Sequence, residues 1–283
     1  MNTIKVSAHA TLSNLCCGFD ILGMALSEPY DTIELRVVDT PGIYLKHYDS
    51  FGLPEDPTVN ISGVALQSLM HAAGLKHGFE VHIHKHIKPG SGIGSSAASA
   101  AGVVVAANEL LGKPFTNKEL LGFAMDGEVL ASGSRHADNL APCIYGGLVL
   151  IRDTPTLDIV PLEAPPLFIT IVHPQIEIKT SYARSILPTD VPLKHAVTQW
   201  ANVAGLVAGF LQKDISLIGR SLQDVIVEPV RSKLIPGFDE VKQKSLQAGA
   251  LGGGISGSGP SLFMISETNQ TALDIEKEMA AVY

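Results

Sequence analysis

The sequence predicts a globular protein that mixes helices and strands, and three observations carry the prediction. Short β-like runs, such as residues 32–38, are interspersed with longer helix-like runs, such as residues 193–211. A glycine- and serine-rich loop at residues 89–99 (PGSGIGSSAAS) opens directly into a small, apolar, helix-like run at 97–111. The 283 residues are 46% hydrophobic and 17% charged, which suits a folded core and permits one large domain or two of ordinary size.

Bulk properties narrow the partners. A formal net charge of −8 argues against nucleic acid or an anionic membrane, so any phosphate must be met by local donors. The longest apolar stretch, residues 97–107, is interrupted by Gly102 and is too short to span a bilayer. No secretory signal precedes the first strand-like segment. Cys16, Cys17 and Cys143 lack metal-type spacing, so reduced thiols in a cytoplasmic protein are expected.

In chain order, residues 3–10 and 32–38 read as strands. Between them, residues 11–26 (TLSNLCCGFDILGMAL) read as a loop pressed on the core, with Ser13, Asn14 and Asp20 facing a cavity or capping turns. Residues 59–73 read as a helix, and residues 80–88 (EVHIHKHIK) as a strand with His82, His84 and His86 on one face. Side chains two apart on a strand stand roughly 7 Å apart and converge poorly on one ion, so a solvated face is preferred to a zinc site.

The loop at 89–99 calls for an anion. Its glycines free the backbone, and the first turn of the following helix offers unpaired N–H groups at the positive end of the dipole. A P-loop fails because Ser95 and Ser96 stand where it needs glycine and lysine. The dinucleotide fingerprint fails because its third glycine also falls at Ser95. The helix stops near Gly112 and Pro114, and another at 117–130 carries Glu128 near its end. Asp138 and Asn139 follow at a turn. Glu128 is either a surface charge or, with that turn, part of an oxygen-donor cluster for Mg²⁺ and phosphate.

Residues 148–151 read as a strand, 154–166 as a Pro-rich crossing and 167–172 as a further strand. Thr180 begins a short helix bearing Arg184, the helix at 193–211 carries Trp200, and a glycine-rich stretch precedes a strand at 261–265 and a helix at 271–281.

These motifs, in this order, resemble those of the GHMP kinases and, within them, the homoserine kinases. The phosphate loop P-x-x-x-G-L-G-S-S-A-A is matched by Pro89, Gly92, Gly94, Ser95, Ser96, Ala97 and Ala98, with Ile93 for leucine. The N-terminal A-T-x-A-N-L-G-P-G-F-D-x-L-G is matched by Ala10, Thr11, Asn14, Leu15, Gly18, Phe19, Asp20, Leu22 and Gly23, with Cys16-Cys17 replacing Gly-Pro. Gly127, Glu128, His136, Asp138, Asn139, Ala141, Pro142, Gly146 and Gly147 reproduce G-E…G-H-x-D-N-x-A-P-x-x-x-G-G. Thr180, Ala183 and Arg184 fit T-x-x-A-R, while Glu228, Pro229, Arg231, Leu234, Ile235, Pro236 and Gly237 fit E-P-x-R-x-x-L-I-P-G. Last, G-A-x-G-x-x-x-S-G-S-G-P is matched by Gly249, Ala250, Gly252, Ser256, Gly257, Ser258, Gly259 and Pro260.

The resemblance implies an α+β fold, the two-domain GHMP kinase fold. Its N-terminal domain, over residues 1–153, would be like the second domain of ribosomal protein S-five, and its C-terminal domain, over 154–283, ferredoxin-like, with the site in the cleft between them. The implied reaction moves the γ-phosphate of ATP to the side-chain hydroxyl of L-homoserine, giving O-phospho-L-homoserine on the way to threonine, with ATP and Mg²⁺ required. Neither nucleic acid nor membrane is an expected partner, and a homodimer is the expected assembly.

By the same resemblance, Pro89, Gly90, Ser91, Gly92, Ile93, Gly94, Ser95 and Ser96, with Ser258 and Gly259, would hold the nucleotide. Ser96 and Glu128 would hold Mg²⁺; Asn14, Asp20, Asn139, Arg184 and Arg231 would hold the amino acid, carboxylate to arginine and ammonium to aspartate. Asn139 stands where several other GHMP kinases carry an aspartate base, so no strong side-chain base is expected. A mevalonate or sugar kinase is disfavoured because paired arginines suit an α-carboxylate. A silent nucleotide-binding protein is disfavoured because Ser96 and Glu128 are both intact.

Overall fold

The computed structural model describes residues 3–133 and 135–283. The chain divides into two compact units: the first takes the chain up to Leu12, Gly23–Pro89 and Ile93–Pro161, and the second takes Ser13–Leu22, Gly90–Gly92 and Leu162–Tyr283.

In the first unit, alternation of apolar and polar residues yields β1 (Thr3–Ser13), β2 (Leu22–Val38), β3 (Ile43–His47), β4 (Gly78–His84), β5 (Leu148–Asp153) and β6 (Asp158–Leu162). They form one sheet in the order β3-β4-β2-β5-β6, with β1 also paired to β2. β2 begins at Leu22, so the segment read as a loop from 11 to 26 is a short turn between two long strands. β3 was not expected from the sequence; it pairs in parallel with β4, Ile43 opposite Phe79.

Four helices belong to this unit: α1 (Ile61–Ala72), α2 (Ser95–Leu110), α3 (Asn117–Ser132) and α4 (Leu140–Tyr145). α1 is capped by the Asn60 side chain and α3 by a Thr116–Glu119 capping box. α2 has small apolar residues on all sides and is buried almost throughout, as a helix apolar around its whole circumference must be. It lies against the sheet closely enough that a Cβ at Gly102 would meet Ile33 Cδ1 at 2.5 Å and Ala8 Cβ at 2.8 Å.

On β4, His82 and His84 share a face, whereas His86 lies beyond the strand end. His82 Nε2 contacts Glu80 Oε1 at 2.8 Å, His84 stacks on Tyr48 with ring centroids 4.7 Å apart, and His86 Nδ1 donates to Tyr30 O at 3.1 Å. Among the described residues, no helix is long and apolar enough to cross a membrane.

The second unit is built on an antiparallel three-stranded sheet, ordered β7 (Phe168–Val172), β9 (Leu262–Ser266), β8 (Gly252–Ile255). β8 reads GGGI, a composition with little strand propensity, and it lay hidden in the glycine-rich motif. Around the sheet come α5 (Thr180–Ser185), α6 (Leu193–Gln212), α7 (Ile215–Ser221), α8 (Glu228–Arg231), α9 (Phe238–Gln247) and α10 (Asn269–Ala280). Phe238 and Val241 of α9 and Ile275 and Met279 of α10 close the core over Leu262 and Met264 of β9.

All three cysteines are unpaired thiols, with Cys16 and Cys17 buried. Burial pushes the Cys17 thiol up to about 12 and raises Cys16 well above its usual value, with Glu228 adding to the second shift. A raised pKa lowers the thiolate fraction at neutral pH, and thiolate is the reactive species. At pH 8, Ellman's reagent should therefore leave Cys16 and Cys17 of the native protein unmodified and titrate both once denaturant is added; rapid labelling of either without denaturant would contradict this packing.

Candidate active site

In the first unit, the candidate residues gather at the N-terminus of α2. Gly94 is its N-cap, in the left-handed region with φ 71°, and brings no side chain to cap the first turn. The opening N–H groups of α2 are thus left to a guest. A Cβ at Gly94 would lie 2.0 Å from Thr11 Oγ1 and 3.1 Å from Asn139 Oδ1, so this position has neither the torsion nor the space for a side chain.

Those two neighbours form a pair. Thr11 Oγ1 donates to Asn139 Oδ1 at 2.8 Å across 128 residues of sequence. Asn139 is the N-cap residue of α4, and accepting from Thr11 turns its amide nitrogen toward donor duty. Thr11, part of the N-terminal motif but not of the expected site set, joins the candidate residues through this contact.

Ser96 Oγ donates to Glu128 Oε1 at 3.1 Å, joining the first turn of α2 to the last turns of α3. Glu128 Oε2 is shielded from solvent. Burial pushes the Glu128 carboxyl up to about 7; the Ser96 hydrogen bond opposes that rise and the nearby Asp138 charge adds to it. A hydroxyl and a carboxylate held together where negative charge is disfavoured are a hard-oxygen donor pair suited to Mg²⁺, whose charge would stabilise the ionised form.

In the second unit, Gly92 has φ 83°, and a Cβ there would meet Gly259 O at 2.7 Å and Ser256 O at 3.0 Å. Ser256 Oγ donates to Gly92 O at 2.7 Å, so this part of the loop is pinned to the glycine-rich motif. Ser91 is buried, and its hydroxyl has no partner among the described residues, which is uncommon for a buried polar group. Ser258 Oγ lies 3.2 Å from Thr180 Oγ1, and Gly259 N donates to Ser256 O at 2.8 Å.

The predicted amino-acid ligands also meet in this unit. Arg184 donates to both oxygens of Asp20, at 3.0 and 2.7 Å, in a fork-to-fork pair. Two guanidinium groups lie near the Phe19 ring: Arg184 at 5.1 Å and Arg231 at 5.2 Å from its centroid. Arg184 Nε is buried without a hydrogen-bond partner among the described residues. Arg231 is buried, its Nε donating to Ala183 O at 3.1 Å and its Nη1 to Gly257 O at 2.9 Å.

Asn14 is occupied by backbone. Its Nδ2 donates to Gly257 O at 3.0 Å and its Oδ1 accepts from Asp20 N at 3.0 Å, holding Asp20 in its left-handed conformation. Asn14 shapes the loop that presents Asp20.

Comparison with known proteins decides the family. Residues 60–147 match the model for the GHMP kinases N terminal domain, and residues 206–283 the model for GHMP kinases C terminal. A homoserine kinase from Chlorobaculum tepidum is 46% identical over 100% of this chain and 91% of its own length. The chain belongs to the GHMP kinase family. A homoserine kinase from Methanocella arvoryzae is 42% identical over 94% of this chain and 85% of its length. A crystal structure of homoserine kinase from Cytophaga hutchinsonii superposes with a TM-score of 0.95 at 49% identity, covering 100% of this chain and 90% of that one. The GHMP kinase fold extends to mevalonate kinase from L. major, with a TM-score of 0.77 at 18% identity over 99% of this chain and 92% of that one.

The two arginines differ in what they support within this fold. Arg231→Ala should lower the melting temperature markedly, because two charged hydrogen bonds worth roughly 1.5–3 kcal/mol each disappear from a buried place. Arg184→Ala, at a side chain 38% exposed, should lower it far less. Thermal denaturation of the two variants checks the order; equal melting temperatures would mean that the Arg231 bonds carry no stability.

Proposed function

We infer that this protein is a homoserine kinase: it transfers the γ-phosphate of ATP to the side-chain hydroxyl of L-homoserine, giving O-phospho-L-homoserine. Full-length likeness to homoserine kinases carries the reading, and the paired arginines agree with it.

Phosphoryl transfer asks the protein for placement and charge stabilisation more than for covalent chemistry. The opening amides of α2 and the residues from Pro89 to Ser96 hold the phosphates, with the Ser91 hydroxyl as an added donor. Ser96 and Glu128 are the residues to hold Mg²⁺, which when bound neutralises charge on the phosphate oxygens. Homoserine brings an α-carboxylate and an α-ammonium to a place where Arg184 and Asp20 already satisfy each other. Its carboxylate takes a guanidinium and its ammonium takes the aspartate, exchanging one ion pair for two, while Arg231 adds positive charge on the other contact of Phe19.

Asn139 is neutral, so the acceptor hydroxyl gives up its proton late, as its bond to phosphorus forms. Asn139 orients that hydroxyl with its amide while Thr11 fixes the amide's direction. This reading includes a cytoplasmic enzyme that assembles as a homodimer, the second part open to light scattering after gel filtration.

A coupled assay over L-homoserine, 3-aminopropan-1-ol, mevalonate and galactose tests the substrate. Homoserine should be the preferred acceptor by a wide margin, and 3-aminopropan-1-ol, which lacks the carboxylate, should lose about ten- to a hundred-fold in kcat/KM. Equal use of those two would end the homoserine assignment. Asn139→Asp tests the chemistry. A positioned base typically contributes about 10²–10⁴-fold, yet a new carboxylate beside Asp138 and the triphosphate adds repulsion, so kcat should fall. A faster Asp variant would mean that base catalysis operates here.

A further inference from the structure

The strand β4 turns one face to its histidines and buries Lys85 just beyond its end. All three protons of the Lys85 ammonium are used: it pairs with Asp31 Oδ2, and donates to Ser95 O and to Ser99 Oγ at 2.9 Å each. The other oxygen of Asp31 accepts from the backbone of His86 at 2.7 Å and Ile87 at 2.8 Å. Ser95 Oγ closes the circuit by donating to Ile87 O at 2.8 Å. Both charged side chains are almost wholly inaccessible, at 3% and 0%.

The placement has a consequence for the loop. His86 and Ile87 are the last residues before Lys88 and Pro89, and Ser95 is the first of α2. One buried ion pair therefore grips the chain on both sides of the loop, the aspartate holding the incoming segment at His86 and Ile87 and the lysine holding the outgoing helix. A cation at a helix N-terminus opposes the helix dipole, so the lysine is not placed there for the sake of α2 alone. Taking two ions out of water is expensive, and an apolar pair of similar volume would serve stability as well or better.

We propose that Lys85 and Asp31 are positioning residues for the nucleotide: their ion pair sets the separation of the two ends of the phosphate loop and so the aim of its amides at the phosphates. This rests on reading residues 89–96 as the phosphate loop. They act through the loop backbone and touch neither reactant.

The test compares Lys85→Met, the neutral double variant Lys85→Met with Asp31→Asn, and two controls. Gly90→Ala perturbs the loop directly, at a positive-φ position with open space around it. Leu69→Ala destabilises the same unit at a buried residue. For each, melting temperature, KM for ATP, KM for homoserine and the Kd of ADP by calorimetry are measured. The double variant keeps an acceptor for His86 and Ile87 and leaves no buried charge, so it reports even if Lys85→Met fails to fold.

Misplacement by an ångström can cost about a hundred-fold, so the double variant should raise KM for ATP and Kd for ADP by about ten-fold or more, with KM for homoserine within about two-fold of wild type. Leu69→Ala should lose stability with both KM values unchanged. If Gly90→Ala raises KM for ATP and the double variant does not, the pair has no role in positioning and the proposal falls. If Gly90→Ala leaves nucleotide affinity untouched, the phosphate-loop reading fails first and takes the proposal with it. Equal rises in KM for ATP and for homoserine would assign the pair a general structural role and overturn it.

Discussion

Bare backbone at Gly92 and Gly94 is the constraint on which the candidate site depends. At each, φ is positive and a Cβ would meet an oxygen within 3 Å: Gly259 O for Gly92 and Thr11 Oγ1 for Gly94. No L side chain relieves both conditions, because the torsion and the space are refused together. The consequence is chemical. With nothing projecting from Gly94, the first turn of α2 beside Asn139 has no cap from its own N-cap residue, and the proposed anion site draws on main chain. Main-chain donors carry no net charge, so a protein of net charge −8 would need no basic surface to meet a polyanion there.

Charge is used differently in the two units, and burial explains the difference. Glu128 is enclosed, so its ionised form is held at a cost that a cation would remove. Asp20 and Arg184 are about a third exposed and satisfy one another in the fork geometry. Partial exposure leaves such a pair worth little to stability, so closing it serves the shape of the loop more than the melting temperature. Asn14 and Arg231, both buried, donate to backbone carbonyls and tie the loop carrying Asp20 to the rest of the unit.

The interactions that carry the site join residues distant in the chain. Thr11 meets Asn139, Ser96 meets Glu128, and Asp20 meets Arg184 across 164 residues. Each joins two motifs, so a substitution in one is felt in the other, and double-mutant cycles across such pairs are expected to be non-additive. Lys85 belongs to no motif, yet it contacts the same helix end as Ser96 does.

The class of the fold and the order of the motifs were legible in the sequence. Glycines, small hydroxyl residues and a following helix called for an anion, and the helix-like runs at 97–111 and 193–211 are α2 and α6. What the sequence left undecided shares a physical cause. β3 is five residues long and β8 is mostly glycine, so both owe their strand geometry to partners across the sheet rather than to propensity. The turn at residues 14–21 is shorter than its polarity suggests because Asn14 folds it back by hydrogen bonds to Asp20 and Gly257, the second of which lies 243 residues away. The closure of Asp20 on Arg184, the scaffolding duty of Asn14 and the grip of Lys85 and Asp31 on the loop are long-range hydrogen bonds. Spacing along a chain does not encode such bonds, because they depend on where the packed core brings distant side chains together.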